Sequence, residues 1–510
     1  MSNIDTTDWR AALAPGTEIS ETGDVVRVSV PISALQTTVQ GLTTTARLAD
    51  MFASQAPDAD PALRLLWALD GQARRYVMIE TPCTTAEYPP LSDIEPAAFV
   101  EECEIYEQFG LRPAGGGLLN RVAVPPHAGV DLPRLGHPPA HNAADVHAPH
   151  FVGGHAFEFP VGPVRAAGFE SLYYGLVTSG EEVVDLYLFT WHKHRGIEWR
   201  LRGMAPRQAL FVVERTEGLS AVAHGWAFAT AVEAALHIAV PAPAAQTRAV
   251  ALEFERIYNH VAAIVALCQS TGLAVGQAGA EIVLERLLRL GAKHFGHRYL
   301  FGVIDIGGVT RGVDVGALRA DLHVVCAELQ RVTDALNATN SFLDRLEATG
   351  IIAAEHAAAL AVVGPLARAS GVEIDTRRDH PQPPYHTHPV AVTHRSSGDV
   401  LARYQVFLSE IDQSMLLIDD LASDPGGPTE RPSDVPQRAG SGLGWAESAR
   451  GEALAWAELD SAGRILRARL RPAAVRNWRA FDDAARSQNV FTDIPIIEAS
   501  FWLTAAGRAR

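Results

Sequence analysis

Apolar and polar positions alternate over short stretches near the start of the chain. Residues 24–30 read as a strand, and residues 63–69 and 76–80, separated by Asp70-Gly71, read as a hairpin. The period then lengthens. Residues 97–109 have helical spacing and stop at Gly110, a residue that readily takes the left-handed conformation ending a helix. From 123 to 150 no period survives; Pro, Ala and His dominate, as in a linker. Residues 172–178 and 182–190 then flank Ser179-Gly180 as a second hairpin. Long helices follow. Val250, Phe254, Ile257, Val261, Ile264 and Cys268 step by four and three along one face. Leu318, Leu322, Val325, Leu329, Val332 and Leu336 do the same, and Tyr404, Ile411, Met415 and Ile418 follow more loosely. Matching stripes on several helices predict a bundle. Strands return at 453–459 and 465–470, around a turn at 460–463.

The predicted fold is α+β. A small α/β domain spans 1–122, a linker 123–150, and a large, mostly helical bundle with β hairpins at both ends 151–510. A length of 510 residues suits two or three such units.

Charge narrows the partners. With 43 Lys and Arg against 59 Asp and Glu, the formal charge is −16, which excludes broad nucleic-acid binding because phosphate contacts need clustered cations. No apolar run approaches the roughly 18–20 residues of a membrane span, and the opening residues lack the basic-then-apolar order of a secretory signal. A soluble, intracellular chain is expected. The four cysteines, Cys83, Cys103, Cys268 and Cys326, form no C-x-x-C pair, and the last two continue apolar stripes as packed thiols. His137, His141, His147, His150 and His155 are irregularly spaced without a carboxylate cluster, which favours a solvated linker over a metal site. No Gly-rich phosphate loop occurs in the second part.

Several strings carry a resemblance. Glu102-Cys-Glu104-Ile-Tyr106-Glu107-Gln-Phe109-Gly110-Leu111 resembles the E-R-E-x-x-D-x-F-G-I signature of the 30-kDa-type subunit of respiratory complex I, with Cys103 for Arg and Glu107 for Asp. Gly162-Pro163-Val164, Gly180-Glu181-Glu182-Val183 and His194-Arg195-Gly196-Ile197-Glu198 come next. Leu252-Glu253-Phe-Glu255-Arg256 with His260, Ile306-Gly307-Gly308-Val309 and Ser370-Gly371 follow. Asp375, Arg377, Asp379-His380-Pro381, Gly398-Asp399-Val400 with Arg403, Pro425-Gly-Gly-Pro428 and Glu447 with Arg450-Gly451-Glu452 complete the series. These landmarks resemble, in order, those of the 49-kDa-type subunit of complex I and of the large subunits of membrane-bound nickel–iron hydrogenases. Both subunit types in one chain resemble the large subunit of hydrogenase-4 or formate hydrogenlyase.

The departures decide the expected chemistry. The resemblance implies four cysteine ligands for nickel and iron, the first two in an R-x-C-G-x-C-x-x-A-H string. Here Arg215, Gly218, Ala223 and His224 are in register, but Glu217 and Ser220 hold the ligand positions. The second pair falls on Thr504 and Gly507, and Trp502 replaces an acid. Hard oxygen donors do not substitute for thiolates on these soft metals, so hydrogen chemistry is not expected. In complex I an acid occupies the Glu217 position, but the quinone-facing histidine and tyrosine fall by counting on Phe169 and Pro206. Glu170 keeps an acid that the hydrogenase branch has nearby.

The candidate cavity is therefore Glu217, Arg215, His224 and Glu170. Burial should raise the pKa of Glu217 unless Arg215 compensates. Glu253, Arg256 and His260 read either as an intrahelical ion-pair ladder or as a proton or conformational relay. Asp375, Arg377, Asp379 and His380 read either as a salt-bridged loop or as catalytic groups, with Asp379 and His380 also candidates for the relay. What the resemblance implies is an electron-transfer subunit of a complex I-like or hydrogenase-4-like oxidoreductase, of NADH:quinone oxidoreductase or formate-hydrogenlyase type. It would carry no intrinsic cofactor, with quinone as a candidate acceptor and the iron–sulfur cluster in a partner. Its partners would be an iron–sulfur small subunit and membrane-embedded antiporter-like subunits, at the cytoplasmic face of the cell membrane. The alternative is a non-catalytic scaffold or coupling subunit.

Overall fold

The computed structural model describes residues 6–13, 17–22, 24–55, 61–70, 74–115, 156–165, 170–190, 192–422, 431–486 and 488–510. The proposed linker with its histidines, and Phe169, lie outside these residues.

The first part is a five-stranded sheet in the order β1-β2-β5-β4-β3. Its strands are β1 (Glu18–Thr22), β2 (Val25–Ser29), β3 (Arg47–Ser54), β4 (Ala62–Leu69) and β5 (Arg75–Pro82). The predicted hairpin is β4–β5, antiparallel with Leu65 opposite Ile79, and β2 joins β5 in parallel. Helices α1 (Ile32–Leu42) and α2 (Phe99–Phe109) accompany the sheet, and Gly110 ends α2 at φ 75° as expected. Strand β3 was not predicted because it is buried on both faces and so shows no alternation. Helix α1 was not predicted because only Leu35, Val39 and Leu42 mark its buried face, between Thr and Gln.

In the second part a three-stranded sheet, β6 (Phe157–Val161), β7 (Tyr173–Ser179) and β8 (Glu182–Phe189), contains the predicted hairpin. Helices α3 (Pro206–Val213), α4 (Ala221–Leu236), α5 (Ala242–Ser270), α6 (Ala274–Phe295), α7 (Val315–Asn337), α8 (Val400–Leu421) and α9 (Ile494–Phe501) build the bundle. The predicted stripes lie in α5, α7 and α8. Helix α5 is buried all round over most of its length, so it forms the axis of the bundle. A last sheet, β9 (Gly440–Ser448), β10 (Gly451–Leu459) and β11 (Ile465–Arg471), completes the fold.

Two packings position the site. Helix α4 is rich in alanine, and β9 reads Gly440-Ser-Gly442-Leu-Gly444. A Cβ on any of these three glycines would collide with the carbonyl oxygen of Ala235, Ala231 or Ala227 in turn. Strand and helix therefore run antiparallel in direct backbone contact. Two strand residues advance for every four in the helix, so the β9–β10 turn must arrive where α4 begins. The second packing is sheet on sheet: Phe52, Leu66, Tyr76 and Met78 of the first sheet share one apolar cluster with Leu443, Trp445, Leu454 and Trp456 of the last. The two parts share a core there. Among the described residues, no helix is long and apolar enough to cross a membrane.

Candidate functional site

The turn between α3 and α4 places Glu217 in the interior, with His224 one helical turn into α4. Glu217 Oε2 lies 2.9 Å from Nε2 of His224, and its Oε1 accepts the Thr504 hydroxyl. The Gly507 amide donates to Thr504 Oγ1 at 3.2 Å, and a Cβ on Gly507 would stand 2.5 Å from Glu217 Oε1. Ser220 accepts from Nη1 of Arg450 at 2.7 Å, and Nε of the same arginine donates to the Trp502 carbonyl at 2.6 Å. The four positions singled out as former ligands thus converge in one buried site. Glu170 joins them, accepting from the Ala506 amide at 2.6 Å.

Arg215 does not join. Its side chain is 43% exposed while that of Glu217 is 1% exposed. Its guanidinium stacks on Phe211 and Phe301 and bonds the Phe211 carbonyl at 2.5 Å. Neighbours in a turn point apart, so proximity in sequence misled. The expected compensation comes from other groups. Burial pushes the Glu217 carboxyl up, but the His224 hydrogen bond and charge, the Arg450 charge and the Thr504 hydroxyl bring it down to about 2. Pro206 opens α3 as a buried first-turn residue, away from these groups.

Three groups were missed. Arg450 was quoted only as a landmark, yet the glycine register of β9 delivers it to Ser220. Glu255, on α5, accepts the amides of Val222 at 2.8 Å and Ala223 at 3.1 Å. It caps α4 in place of Ser220, whose hydroxyl makes no cap bond. Burial pushes Glu255 up to about 8, against those amides and the charges of Arg450 and Arg256. Glu214 accepts from the Gly302 amide at 3.0 Å, and burial pushes it up to about 7. Burial and the Glu217 charge also raise Glu170. Glu255 was hidden because Glu253, Arg256 and His260 share a face that looked complete, while position 255 points away from it.

That other face is fully buried. Arg256 pairs with Glu253 at 3.1 Å within α5, but His260 reaches Glu410 of α8 at 2.8 Å, so the group is not an intrahelical ladder. Arg377 bridges Glu253 at 2.9 Å and Asp375 at 2.6 Å, and Arg368 holds Glu410, Glu447 and Asp375. Burial raises the Glu253 carboxyl, yet Arg377 and Arg256 bring it down to about 2. Asp379 pairs with Arg378 at 2.8 Å. His380 crosses to the first part, 2.9 Å from Asp70 and stacked on Tyr76. The loop is salt-bridged, as one of its two readings had it.

Comparisons with known proteins place the chain in a family. Residues 195–269 match the family described as nickel-dependent hydrogenase, and residues 283–436 the 49-kDa subunit of respiratory-chain NADH dehydrogenase. Formate hydrogenlyase subunit 5 of Escherichia coli (strain K12) is 30% identical over 446 residues, 83% of this chain and 77% of that protein. Hydrogenase-4 component G of the same organism is 27% identical, over 85% of this chain and 78% of its own. An NADH-quinone oxidoreductase subunit of Salinispora tropica is 30% identical over 50% of this chain and 66% of that one. Among solved structures, a chain of an archaeal membrane-bound sulfane sulfur reductase superposes with a TM-score of 0.65 at 22% identity, over 70% of this chain and 99% of that one. The chain belongs to the family that unites complex I 49-kDa-type subunits with nickel-dependent hydrogenase large subunits and includes formate hydrogenlyase subunit 5.

Proposed function

We propose that this chain is an electron-transfer subunit of a membrane-associated oxidoreductase of complex I-like or hydrogenase-4-like type, working without a nickel–iron centre. The observation that carries the reading is the rebuilt pocket. The ligand positions hold a carboxylate, two hydroxyls and a glycine, and those oxygens are engaged by His224, Thr504, Arg450 and the Gly507 amide. Soft metals need thiolates, and a side chain at 507 would strike Glu217. This donor set does not fit nickel and iron.

Electrons would arrive from an iron–sulfur cluster in a small partner subunit, on a complex anchored by antiporter-like membrane subunits. What this chain supplies is control of protons beside the arriving charge. Glu217 stays ionised against His224, while Glu255 holds its proton near neutrality. Two carboxyls pushed apart in this way divide the roles of fixed anion and exchangeable acid. Glu170 lies at the 503–510 side of the pocket, its carboxyl raised by burial and by the Glu217 charge. Quinone is the acceptor class that the complex I relatives suggest, although neither Phe169 nor Pro206 offers a head-group donor.

One observation favours a scaffold instead: the chain's own groups already occupy both oxygens of Glu217 and the hydroxyl of Ser220. Glu217→Gln in the purified, assembled complex separates the two. A loss of about tenfold or more in electron transfer to the native acceptor is expected if the pocket works. Turnover equal to wild type, with assembly confirmed, assigns the chain to the scaffold.

A further inference from the structure

The segment 503–510 carries Thr504 and Gly507 but has neither helix nor strand to hold it. Most of its fastenings come from the second part. Arg195 bonds the carbonyls of Ala506 at 2.6 Å and Ala509 at 3.2 Å, and Trp478 bonds that of Thr504 at 3.0 Å. The first part also holds it: Arg508 lies in the field of Glu104, Glu101 and Glu107, and Arg510 is bonded directly. The Arg510 guanidinium donates Nη2 to Glu104 at 2.9 Å and 2.7 Å, and its Nε to Glu198 at 3.1 Å. Glu104 sits on α2 of the first part, in the E-x-E string. Its carboxylate also takes Nη1 of Arg469 at 2.8 Å, whose other nitrogens grip Asp50 at 2.9 Å and 2.8 Å. Glu198 also takes Arg467 at 2.8 Å.

We propose that Glu104 is a positioning residue: through Arg510 it fixes segment 503–510, and so sets Thr504 against Glu217. The first part is then a wall of the pocket at one remove.

Charge balance supports this role. Arg467, Arg469 and Arg510 are buried with Asp50, Glu104 and Glu198 paired against them, while Arg508, also buried, shares the field of Glu104 with Glu101 and Glu107. A buried guanidinium that loses its carboxylate moves toward water or toward another acid. Without Glu104, Arg469 keeps Asp50, but Arg510 is left to compete with Arg467 for Glu198. The strain falls on the one member whose backbone is irregular. Without Asp50 the same charge is lost, yet Arg469 and Arg510 both keep Glu104. The two acids therefore differ in what they hold, not in charge.

Hydrogen exchange on the full chain tests this. Glu104→Gln should speed exchange of the amides in 504–510 about tenfold, with α5 unchanged, because one charge-assisted contact is worth about that factor. Asp50→Asn should leave 504–510 at the wild-type rate, and Glu104→Asp, which keeps the charge, should restore slow exchange. The carboxylate stretch of Glu217, identified by its loss in Glu217→Gln, should shift in Glu104→Gln and not in Asp50→Asn. Should Glu104→Gln fail to fold, Arg510→Lys keeps the charge but loses the forked contact, and the same acceleration is expected. Unchanged exchange at 504–510 in Glu104→Gln or its substitute, or equal acceleration in Asp50→Asn, overturns the assignment. The inference rests on the pocket reading only for its consequence: the exchange rates decide it even if Glu217→Gln turns over like wild type.

Discussion

The pocket around Glu217 and the ion cluster behind it sit on opposite faces of one helix, α5, and handle charge differently. In the cluster each charge has several partners: Arg368 alone holds three carboxylates, and Glu253 takes two arginines, Ser414 and Tyr385. In the pocket the charges are few. Glu217 has one histidine and one hydroxyl, and Glu255 two backbone amides and Tyr258, with the charge of Arg450 acting on both. Redundant arginines hold Glu253 and Glu410 well below the ordinary carboxylate range, while burial raises Glu447. A pair of acids with few partners, one low and one high, is where a proton can move. On the function proposed above, the cluster is architecture and the pocket is the place for chemistry.

The sharpest way to break this contrast is to strip a partner from the cluster. Arg368→Met should leave Glu410, Glu447 and Asp375 short of positive charge and cost about 3–5 kcal/mol in denaturant unfolding, as breaking buried pairs does. A cost below about 1 kcal/mol would mean the cluster is not holding the bundle together.

Glu255 sharpens the other side. Its folded value of about 8 lies above the ordinary 4.5, so between these values the folded chain keeps a proton that the unfolded chain has lost. Stability should therefore fall as pH rises from 4.5 to 8 and level off above, by on the order of 2–4 kcal/mol from this group. Glu255→Gln removes the titration, at a pH-independent cost for the amide it misplaces. Chemical unfolding at pH 5 and pH 8 should show the gap between variant and wild type narrowing toward pH 8. A gap of constant size would place Glu255 with the fixed charges of the cluster.

Arg215 gives the smallest effect. Its side chain is 43% exposed, rests on two aromatic rings and lies 3.8 Å from Glu214. Arg215→Ala should therefore cost roughly 0.5–1 kcal/mol and let the Glu214 carboxyl rise further, without touching the acid titration of Glu217. A larger effect, or one that shifts acid unfolding, would return it to the neighbourhood of Glu217.

These cases mark what was legible from the chain alone. Periodicity gave α5, α7 and α8 because their stripes face a core, and the ordered landmarks placed Glu217, Ser220, Thr504 and Gly507 in one pocket across nearly three hundred residues. Strand β3 stayed hidden because burial on both faces erases alternation. The pocket's electrostatics were hidden for a different reason. Whether Arg215 or Arg450 lies near Glu217 depends on how a turn aims its side chains, which spacing does not encode. The clue to Arg450 was there in Gly440-x-Gly442-x-Gly444, but only once α4 was known to lie against it.

That glycine seam has a mechanical consequence. Side chains can swing between rotamers and water can slip between them, whereas touching backbones have no such play. With α4 and β9 joined in this way, Ser220 and Arg450 form an anvil of fixed shape. Any movement of this site must come from the opposing jaw, where the segment around Thr504 is kept in place by arginines, Glu170 and the Trp478 indole.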